Sequence, residues 1–574
     1  MDDVDAVNAQ IARNMLDSGD WVTPRIDGVV YLEKSPLNYW LMAASYFVFG
    51  VHDWAARLPA ALGAVGLMLV TAALGTWGLG RRGGFYAGLA VGTCVGLYLF
   101  TRIVIPDVLL TLAVTCALYC FLRAVEGPPA KEGLRPAYNG RLWAYGFWAS
   151  IGVGMLLKGL LGALVPAATG GLYLLFRRRF GDRDTWRRLR PVSGICVSLA
   201  IFGPWVALAA LRNPPIFDFT LHSDPGVYRG FLWFYFINEH ILRFLNLRYP
   251  HDYNTVPRAP FLLLHLVWIF PWSAFLPAAV AGWRQNGNER AGCLKLLAAI
   301  WIVFLLTFLS FSTTQEYYSL PCYPAFAILA GAALLWGPKR WISAGYAVLA
   351  AVGVLAGATA AVILYLVRGV QPTGDISSAL TQNPNAYTLS LGHMLDLTLT
   401  SFAYLRAPLA LAGAALAAGS VAAWLTRRRI FGPLCLAAMM VLFVRAAHLA
   451  MGVFDPYLSS QPLAKALQKR PPGRLVIEGH YYPASSVVFY TNQAALLLHG
   501  RQDNLIYGSA APGAPPVFLE DADLVRLWRQ NQRFYLVAPA SSEGRYKALL
   551  GPVYVVAERG GKCLLSNMPA GGGA

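Results

Sequence analysis

Ionisable side chains recur at the ends of apolar stretches in this sequence, where a charge is costly unless it faces a cavity or a partner. Glu33 and Lys34 open one apolar run, and Lys158 is the only polar side chain between positions 154 and 164. A buried ammonium group needs an anion nearby. Seven further residues belong to the same set: Arg102, Asp107, Glu239, His240, Arg243, Tyr317 and Tyr318.

Each of these residues also has a purely structural interpretation. Glu33 and Lys34 could form an interfacial ion pair, and a lone histidine is more often structural than a ligand. Arg102 and Asp107, five residues apart across a turn, could hold that turn together. Several separate loops that each offer a cation favour a different interpretation. They predict a site for an anionic head group, most simply a phosphate.

The elements that must position these side chains are membrane spans. The chain has 574 residues, 56% of them hydrophobic and 13% charged, which is too apolar for a soluble enzyme of this length. Apolar runs of roughly 17 to 25 residues can cross ~30 Å of hydrocarbon as helices. We predict twelve spans, at 54–78, 84–101, 105–124, 143–157, 160–176, 192–211, 260–282, 293–311, 320–336, 341–367, 402–424 and 430–453.

The net charge of +18 would suggest a nucleic-acid partner in a soluble protein. Here the cations lie in every second loop, which is the pattern of cytoplasmic loops in membrane proteins, so no nucleic acid is expected. They are Arg81, Arg82, Lys131, Arg135, Arg141, Arg177, Arg178, Arg179, Arg183, Arg187, Arg188, Arg190, Arg284, Arg290, Lys339, Arg340, Arg427, Arg428 and Arg429. The intervening loops, including 212–259 and 368–401, are expected to face outward.

Three regions follow from this pattern: outer interfacial helices over 1–53, a transmembrane domain over 54–453 and an outer α/β domain over 454–574. Apolar residues between Val4 and Leu16 recur at helical spacing, which predicts an amphipathic helix on the membrane surface. Pro36 suits the first turn of a second helix that ends near Gly50.

An even number of spans places residues 1–53 on the same outer side as the C-terminal region. Another spanning helix must precede these residues to carry them across the membrane. We therefore expect a transmembrane helix upstream of residue 1.

The outer C-terminal region alternates between helix and strand patterns. Helices are predicted at 463–467 and 519–530, and strands at 473–479, 533–539 and 551–558. A domain of this size is ordinary. It is interpreted as an acceptor-contacting or lid domain, with a scaffolding role as the alternative.

Several stretches taken in order resemble one enzyme family: DDVDAVNAQIARNMLDSGDW, YLEKSP, ARLPAAL, TRIVIPDVLLTL, LLKGLLG, NEHILRF, FPWS and SFSTTQEYYSLPCYP. The family is that of the polyprenyl-phosphate-sugar-dependent GT-C glycosyltransferases, which include lipid A aminoarabinose transferases and protein O-mannosyltransferases. The resemblance runs from residue 2 to about residue 330, and more loosely to the tail.

This resemblance implies a polytopic α-helical membrane protein of GT-C type with one span more than the twelve found here. It also implies an inverting transfer from a sugar on a polyprenyl phosphate, such as undecaprenyl phosphate. An acidic residue at the start of the first outer helix is implicated in catalysis. The sequence reads Asp-Asp-Val-Asp where the family reads Asp-Glu, so Asp3 is favoured as the catalytic residue and Asp2 is its rival.

The residue types fit such a transfer. A sugar linked through phosphate already carries a good leaving group, so the transition state mainly needs cations on the departing phosphate. Asp3 or Asp2 would accept the proton of the acceptor or steady positive charge on the sugar. The expected cations are Lys34, Lys158, Arg243 and Arg102.

The remaining candidates would support this chemistry. Asp107, grouped with the catalytic carboxylates, and Glu33 would orient the cations or a bound divalent cation. Tyr317 and Tyr318 would hydrogen-bond the phosphate or the sugar. His240 would bind the donor or a metal; no cofactor is certain.

Two other functions are compatible with the same residues. One is a transporter of lipid or sugar phosphate, although transporters usually place substrate near the middle of the bilayer. The other is a relative that binds polyprenyl phosphate without transferring sugar. For the enzyme, the acceptor could be a lipid A-like glycolipid, another glycan or a protein. The expected location is a bacterial inner membrane, with the site on the periplasmic side.

Overall fold

The computed structural model describes residues 1–127, 140–251, 255–285, 287–312, 314–380, 396–428 and 430–569. Three of the predicted cytoplasmic cations, Lys131, Arg135 and Arg429, lie outside these ranges. The same holds for parts of the two predicted outer loops, at 252–254 and 381–395.

The N-terminal region contains two helices separated by a short antiparallel hairpin. Their bounds are α1 (Asp3–Ser18), β1 (Arg25–Ile26), β2 (Val29–Val30) and α2 (Leu37–Phe49). Pro36 precedes α2 and Gly50 ends it, as predicted.

Helix α1 forms as predicted, and its place on the membrane surface stays a prediction. It packs against α2 on one side and against the C-terminal domain on another. Ala6, Ala9 and Ala12 are fully buried in this arrangement. Their small side chains let neighbouring helices approach α1 on more than one face, which the apolar spacing alone does not reveal.

The membrane part is helical. Its helices are α3 (Asp53–Thr93), α4 (Val95–Arg102), α5 (Asp107–Glu126), α6 (Gly140–Lys158), α7 (Leu161–Phe176), α8 (Arg183–Leu189), α9 (Pro191–Arg212), α10 (Gly230–Leu232), α11 (Arg258–Trp268), α12 (Leu276–Ala281), α13 (Glu289–Ser310), α14 (Tyr323–Trp336), α15 (Lys339–Leu366), α16 (Arg406–Leu425) and α17 (Phe431–Leu458). A π-helix, Trp233–Leu242, continues α10, and a 3-10 turn, Glu316–Cys322, precedes α14.

Within the described ranges, eight helices are long and apolar enough to cross a membrane, or nine if the bent pair α11 and α12 forms one span. Helix α3 contains the first predicted run and the beginning of the second, with a break between them at Gly80, where φ is 79°. The second run ends in α4. Helix α7 is shorter than a full span. The multi-pass membrane character is therefore confirmed, whereas the count of twelve spans stays a prediction.

The C-terminal domain is a six-stranded mixed sheet with helices. Its elements are α18 (Gln461–Gln468), β3 (Arg474–Glu478), α19 (Ser485–Thr491), β4 (Ala495–Leu498), α20 (Leu505–Ser509), β5 (Phe518–Leu519), α21 (Asp521–Trp528), β6 (Phe534–Pro539), α22 (Glu543–Leu550), β7 (Tyr554–Arg559) and β8 (Lys562–Ser566). The strand order is β5-β4-β3-β6-β8-β7. Strands β3 to β6 are parallel, and β8 is antiparallel to both of its neighbours.

One hydrophobic core joins the N-terminal helices to this sheet. Ile11 of α1 and Tyr39 of α2 belong to the same buried cluster as Leu475, Leu497 and Val537 of the sheet. The C-terminal domain therefore has a fixed position over the N-terminal region, since the two share their apolar interior.

Candidate functional site

Glu33 occupies the short connection between β2 and α2, where its carboxylate is buried. Its Oε1 contacts the ammonium group of Lys34 and lies 3.7 Å from the Arg243 guanidinium. Burial by itself raises the pKa of this carboxyl, but the charges of Lys34, Arg243 and Arg248 outweigh it and lower the pKa to about 2. Glu33 is thus a permanent anion that orients cations.

The π-helix brings in a second set of charges. Arg243 Nη1 donates to Glu239 Oε2 at 3.0 Å, and Arg243 Nη2 donates to the Tyr318 hydroxyl at 2.9 Å. Arg248 is 4% exposed and contacts both oxygens of Glu239 at 2.6 Å. The carboxylate of Glu239 therefore holds two guanidinium groups at one end of the helix bundle.

Lys158 ends α6 and pairs with Asp107, the first residue of α5, at 2.5 Å. This contact supplies the anion that an isolated buried ammonium requires. The ammonium also lies 5.0 Å from the ring centroid of Tyr317 and 4.8 Å from that of Tyr318. The Lys158 ammonium is thus attracted by two electron-rich ring faces as well as by the Asp107 carboxylate.

His240 supports the turn that presents Lys158. Its Nε2 accepts from the backbone N–H of Leu160 at 3.1 Å, so its Nδ1 carries the proton and donates to Tyr235 O. Burial lowers the pKa of His240 to about 4. With both ring nitrogens engaged, the geometry does not support the prediction that His240 binds a donor or a metal.

We define the basic cluster as the charged residues that meet at this end of the bundle, Glu33, Lys34, Asp107, Lys158, Glu239, Arg243 and Arg248. Among the residues that the structure describes, four cations and three carboxylates meet here. Lys34 and Arg243 are also close enough to Lys158 to repel it. An additional anion would relieve this repulsion, and a phosphate has the required charge.

Two of the predicted residues form a separate pair beside this cluster. Arg102 Nη2 contacts Asp2 Oδ2 at 2.6 Å, while Asp107 pairs with Lys158. The alternative that Arg102 and Asp107 simply bridge their own turn is therefore wrong. The turn between them instead joins the Asp2 pair to the basic cluster.

Asp3 points into the C-terminal domain. Five donors surround its carboxylate, namely the backbone N–H and hydroxyl groups of Ser460 and Ser486 and the ammonium group of Lys562. The side chain is 5% exposed. The structure therefore does not bring Asp3 together with Lys34, Asp107 and Lys158, and its catalytic role stays a prediction.

Some residues at this site were not identified from the sequence. Arg248, five positions after Arg243 in the same outer loop, carries a charge that could have been recognised. Tyr31, Tyr482 and Asn504 line the other side of Glu33, and no sequence pattern marks them.

A metal site and an open cavity are two further features that could hold a ligand. Among the residues that the structure describes, no group of three or more His, Cys, Asp or Glu side chains is arranged to hold a metal ion. An open cavity of about 440 Å³ lies at the opposite ends of the helices and contains none of the predicted site residues. It is lined by Arg183, Trp186, Arg187, Arg190, Pro191, Val192 and Ser193.

Residues 33–207 match the family model described as dolichyl-phosphate-mannose-protein mannosyltransferase. This matched segment is less than a third of the chain. It begins at Glu33 and includes Lys34, Asp107 and Lys158 of the basic cluster. The rest of the cluster lies beyond its matched range.

Curated relatives are undecaprenyl phosphate-alpha-4-amino-4-deoxy-L-arabinose arabinosyl transferases. One from Pseudomonas fluorescens is 31% identical over 336 residues, which is 57% of this chain and 51% of the relative. One from Aeromonas salmonicida is 31% identical over 331 residues, or 56% of this chain and 54% of the relative. The match thus spans about half the length of these relatives.

Solved structures extend the likeness beyond residues 33–207. ArnT from Cupriavidus metallidurans bound to undecaprenyl phosphate matches with a TM-score of 0.78 at 25% identity, covering 98% of this chain and 93% of that chain. The apo state of the same protein matches with a TM-score of 0.77 at 24% identity. The predicted fold class, a GT-C membrane domain with a C-terminal α/β domain, is confirmed.

Proposed function

We propose that this protein is a membrane glycosyltransferase that moves a sugar from a polyprenyl-phosphate-linked donor to an acceptor, with inversion at the anomeric carbon. The observation that carries the proposal is the basic cluster, in which cations from separate segments of the chain meet at one end of a bundle of membrane helices. The likeness to a protein crystallised with undecaprenyl phosphate supports the same ligand class.

The cations act on the leaving group. As the bond between the anomeric carbon and the phosphate oxygen breaks, the donor phosphodiester becomes a phosphate monoester with additional negative charge. Lys34 is the best placed of the four cations to meet that charge, because its side chain is 27% exposed whereas that of Arg248 is 4% exposed. Lys158 and Arg243 add positive electrostatic potential to that of Lys34.

The proton acceptor in this proposal is Asp2. Asp3 is saturated by donors from the C-terminal domain, and Asp107 is 2% exposed and paired with Lys158. Asp2 contacts only one cation in the described structure, Arg102, and its side chain is 23% exposed. It therefore retains acceptor capacity for the hydroxyl proton of an incoming acceptor, whose oxygen forms the new bond to the sugar.

The proposed location of the reaction is the periplasmic side of a bacterial inner membrane. The basic loops that follow the positive-inside rule, such as Arg177–Arg190, lie at the ends of the spans opposite the basic cluster. The curated relatives suggest aminoarabinose as the sugar, and lipid A is the first acceptor to test.

The experiment uses the full chain, purified and reconstituted in lipid nanodiscs. It is supplied with undecaprenyl phosphate carrying 4-amino-4-deoxy-L-arabinose and with lipid A, and the acceptor is analysed by mass spectrometry. We expect a mass gain of one aminoarabinose residue and release of undecaprenyl phosphate. Proton coupling constants of the product report whether the anomeric configuration inverts.

Other outcomes decide between the alternatives. Proteoliposomes that translocate the donor without altering any acceptor would favour a transporter. Saturable donor binding with no transfer to lipid A, glycan or protein acceptors would contradict the enzymatic proposal and favour a binding-only relative.

A further inference from the structure

We propose that the C-terminal domain is part of the donor site, in which Tyr482 and Asn504 are positioning residues that hold the Glu33 carboxylate so that it aligns Lys34 and Arg243. This inference rests on the proposed function and adds to it two residues that lie outside the segment 33–207 that matches the family model. It also gives the C-terminal domain a role beyond covering the N-terminal helices.

The two oxygens of Glu33 face different parts of the molecule. Oε1 contacts Lys34 and lies 3.7 Å from Arg243, both on the side of the membrane domain. Oε2 accepts from the Tyr31 hydroxyl at 2.9 Å and from the side-chain amide of Asn504. One planar carboxylate thus joins the cations to the C-terminal domain, and its orientation depends on both sides.

Tyr482 extends the contact on the C-terminal side. Its hydroxyl lies 3.0 Å from the Tyr31 hydroxyl, which itself donates to Glu33. Asn504 is 8% exposed, and its amide also lies 3.4 Å from Tyr31. Hydrogen bonds to a charged, buried carboxylate are among the stronger ones in proteins. Losing the Asn504 amide, or the Tyr482 hydroxyl that contacts Tyr31, should therefore let the carboxylate rotate.

The fold brings these two residues together at one edge of the sheet. Tyr482 follows β3 and Asn504 follows β4, and these two strands are parallel neighbours. Their carboxyl ends therefore meet at the same edge, which is where open α/β sheets commonly place ligand-contacting residues. That edge is the part of the C-terminal domain that reaches Glu33.

An ion pair ties the two segments to each other. His480, two residues before Tyr482, contacts Asp503, the residue before Asn504, at 2.7 Å. Asp503 adopts a left-handed backbone conformation with φ 48°, which is uncommon for a residue other than glycine. Both features fix the direction of Asn504, as a positioning residue requires.

The test compares two variants with matched controls in the same domain. Tyr482→Phe removes one hydroxyl, and Asn504→Leu removes the amide. Tyr554→Phe and Asn531→Leu make the same chemical changes at exposed positions. Each full-length protein is assayed in nanodiscs for kcat and for the KM of the donor and of the acceptor, and its binding of undecaprenyl phosphate is measured directly.

We expect Asn504→Leu to lower kcat/KM for the donor about 10-fold and Tyr482→Phe to lower it about 3-fold, with the acceptor KM unchanged. Binding of undecaprenyl phosphate should weaken in the same order. A merely structural role would lower the amount of folded protein, but it would not change the kinetic parameters for the donor differently from those for the acceptor. Asn504→Leu should also show no further loss when combined with Glu33→Gln, because both act through one carboxylate.

Wild-type values for both variants, in folded protein, would overturn the positioning role. If Asn504→Leu does not fold, Tyr482→Phe decides the question, because it keeps the aromatic ring and changes a single hydroxyl. A wild-type protein that transfers no sugar contradicts the proposed function instead, and undecaprenyl phosphate binding by the two variants still tests the positioning role.

Discussion

Asp3 and Glu33 are buried carboxylates of the same N-terminal region, and both contact the C-terminal domain, yet their surroundings differ. Both oxygens of Asp3 accept hydrogen bonds from the C-terminal domain, which also supplies the Lys562 ammonium. One carboxylate oxygen of Glu33 accepts a hydrogen bond from that domain, and the other contacts the cations of the basic cluster.

The difference separates a structural contact from a functional one. A carboxylate whose acceptor sites are all filled by its own protein fixes two elements together. A carboxylate divided between a rigid domain and partly exposed cations can direct those cations toward a ligand. In the proposed mechanism, one residue class therefore serves assembly at Asp3 and positioning at Glu33, and substitutions in both regions test the distinction.

Lys34→Ala is expected to have the largest effect. It removes the most exposed cation of the basic cluster, while Glu33 keeps Arg243 nearby. We expect sugar transfer to fall by roughly 10²- to 10³-fold, as for loss of one group that stabilises transition-state charge. The thermal midpoint should stay close to that of Lys547→Ala, which removes an exposed lysine paired with Glu543. Transfer at the wild-type rate would remove Lys34 from the mechanism.

Lys158→Met should mainly affect stability. It leaves the Asp107 carboxylate buried without its cation, which costs about 3 to 5 kcal/mol. The double variant Asp107→Asn/Lys158→Met removes both charges and should recover part of that loss. Chemical denaturation in detergent measures both values, and equal stability of the single and double variants would contradict a tight pair.

Asp3→Asn should destabilise the contact between α1 and the C-terminal domain by about 1 to 3 kcal/mol, because the Lys562 ammonium loses its charged partner. Transfer per folded molecule should remain near the wild-type level, whereas Asp2→Asn should lose transfer and keep its stability. The reverse result, with Asp3→Asn stable and inactive, would restore Asp3 as the catalytic carboxylate.

The smallest expected effect is a pH dependence at His480. Its hydrogen bond to Asp503 raises the pKa of His480 above the ordinary ~6.5. A raised folded-state pKa means that the ion pair stabilises the domain below the unfolded pKa and that this contribution is lost as pH rises through the folded pKa. The side chain is 54% exposed, so the change should stay below ~1 kcal/mol. Melting curves of wild type and His480→Gln should converge at high pH; a constant difference would contradict this origin.

The sequence was sufficient for the features that depend on composition and periodicity. The membrane character, the α/β tail and the need of Lys158 for an anion all follow from apolar runs and lone charges, and the structure supplies Asp107 as that anion. Strand β4, with four residues, was not predicted, because so short an apolar run has no diagnostic period.

Contacts between distant segments were beyond prediction. Asp3 and Lys562 are separated by nearly the whole chain, and Asn504 and Glu33 by almost as much. Neither pair leaves a local signal, since spacing rules describe neighbours on one helix or strand. The sequence therefore indicated which residue types could bind a phosphate, but not which carboxylate is committed to the C-terminal domain.

The apolar interior shared by α1, α2 and the sheet has a consequence for engineering. Cutting the chain after α17 would leave Ile11 and Tyr39 facing water, so the membrane portion should aggregate when expressed alone. A chimera that transplants the C-terminal domain of a relative would need its own first two helices grafted with it. Exchange of the C-terminal domain between relatives should therefore succeed only when both ends of the chain are swapped as one unit.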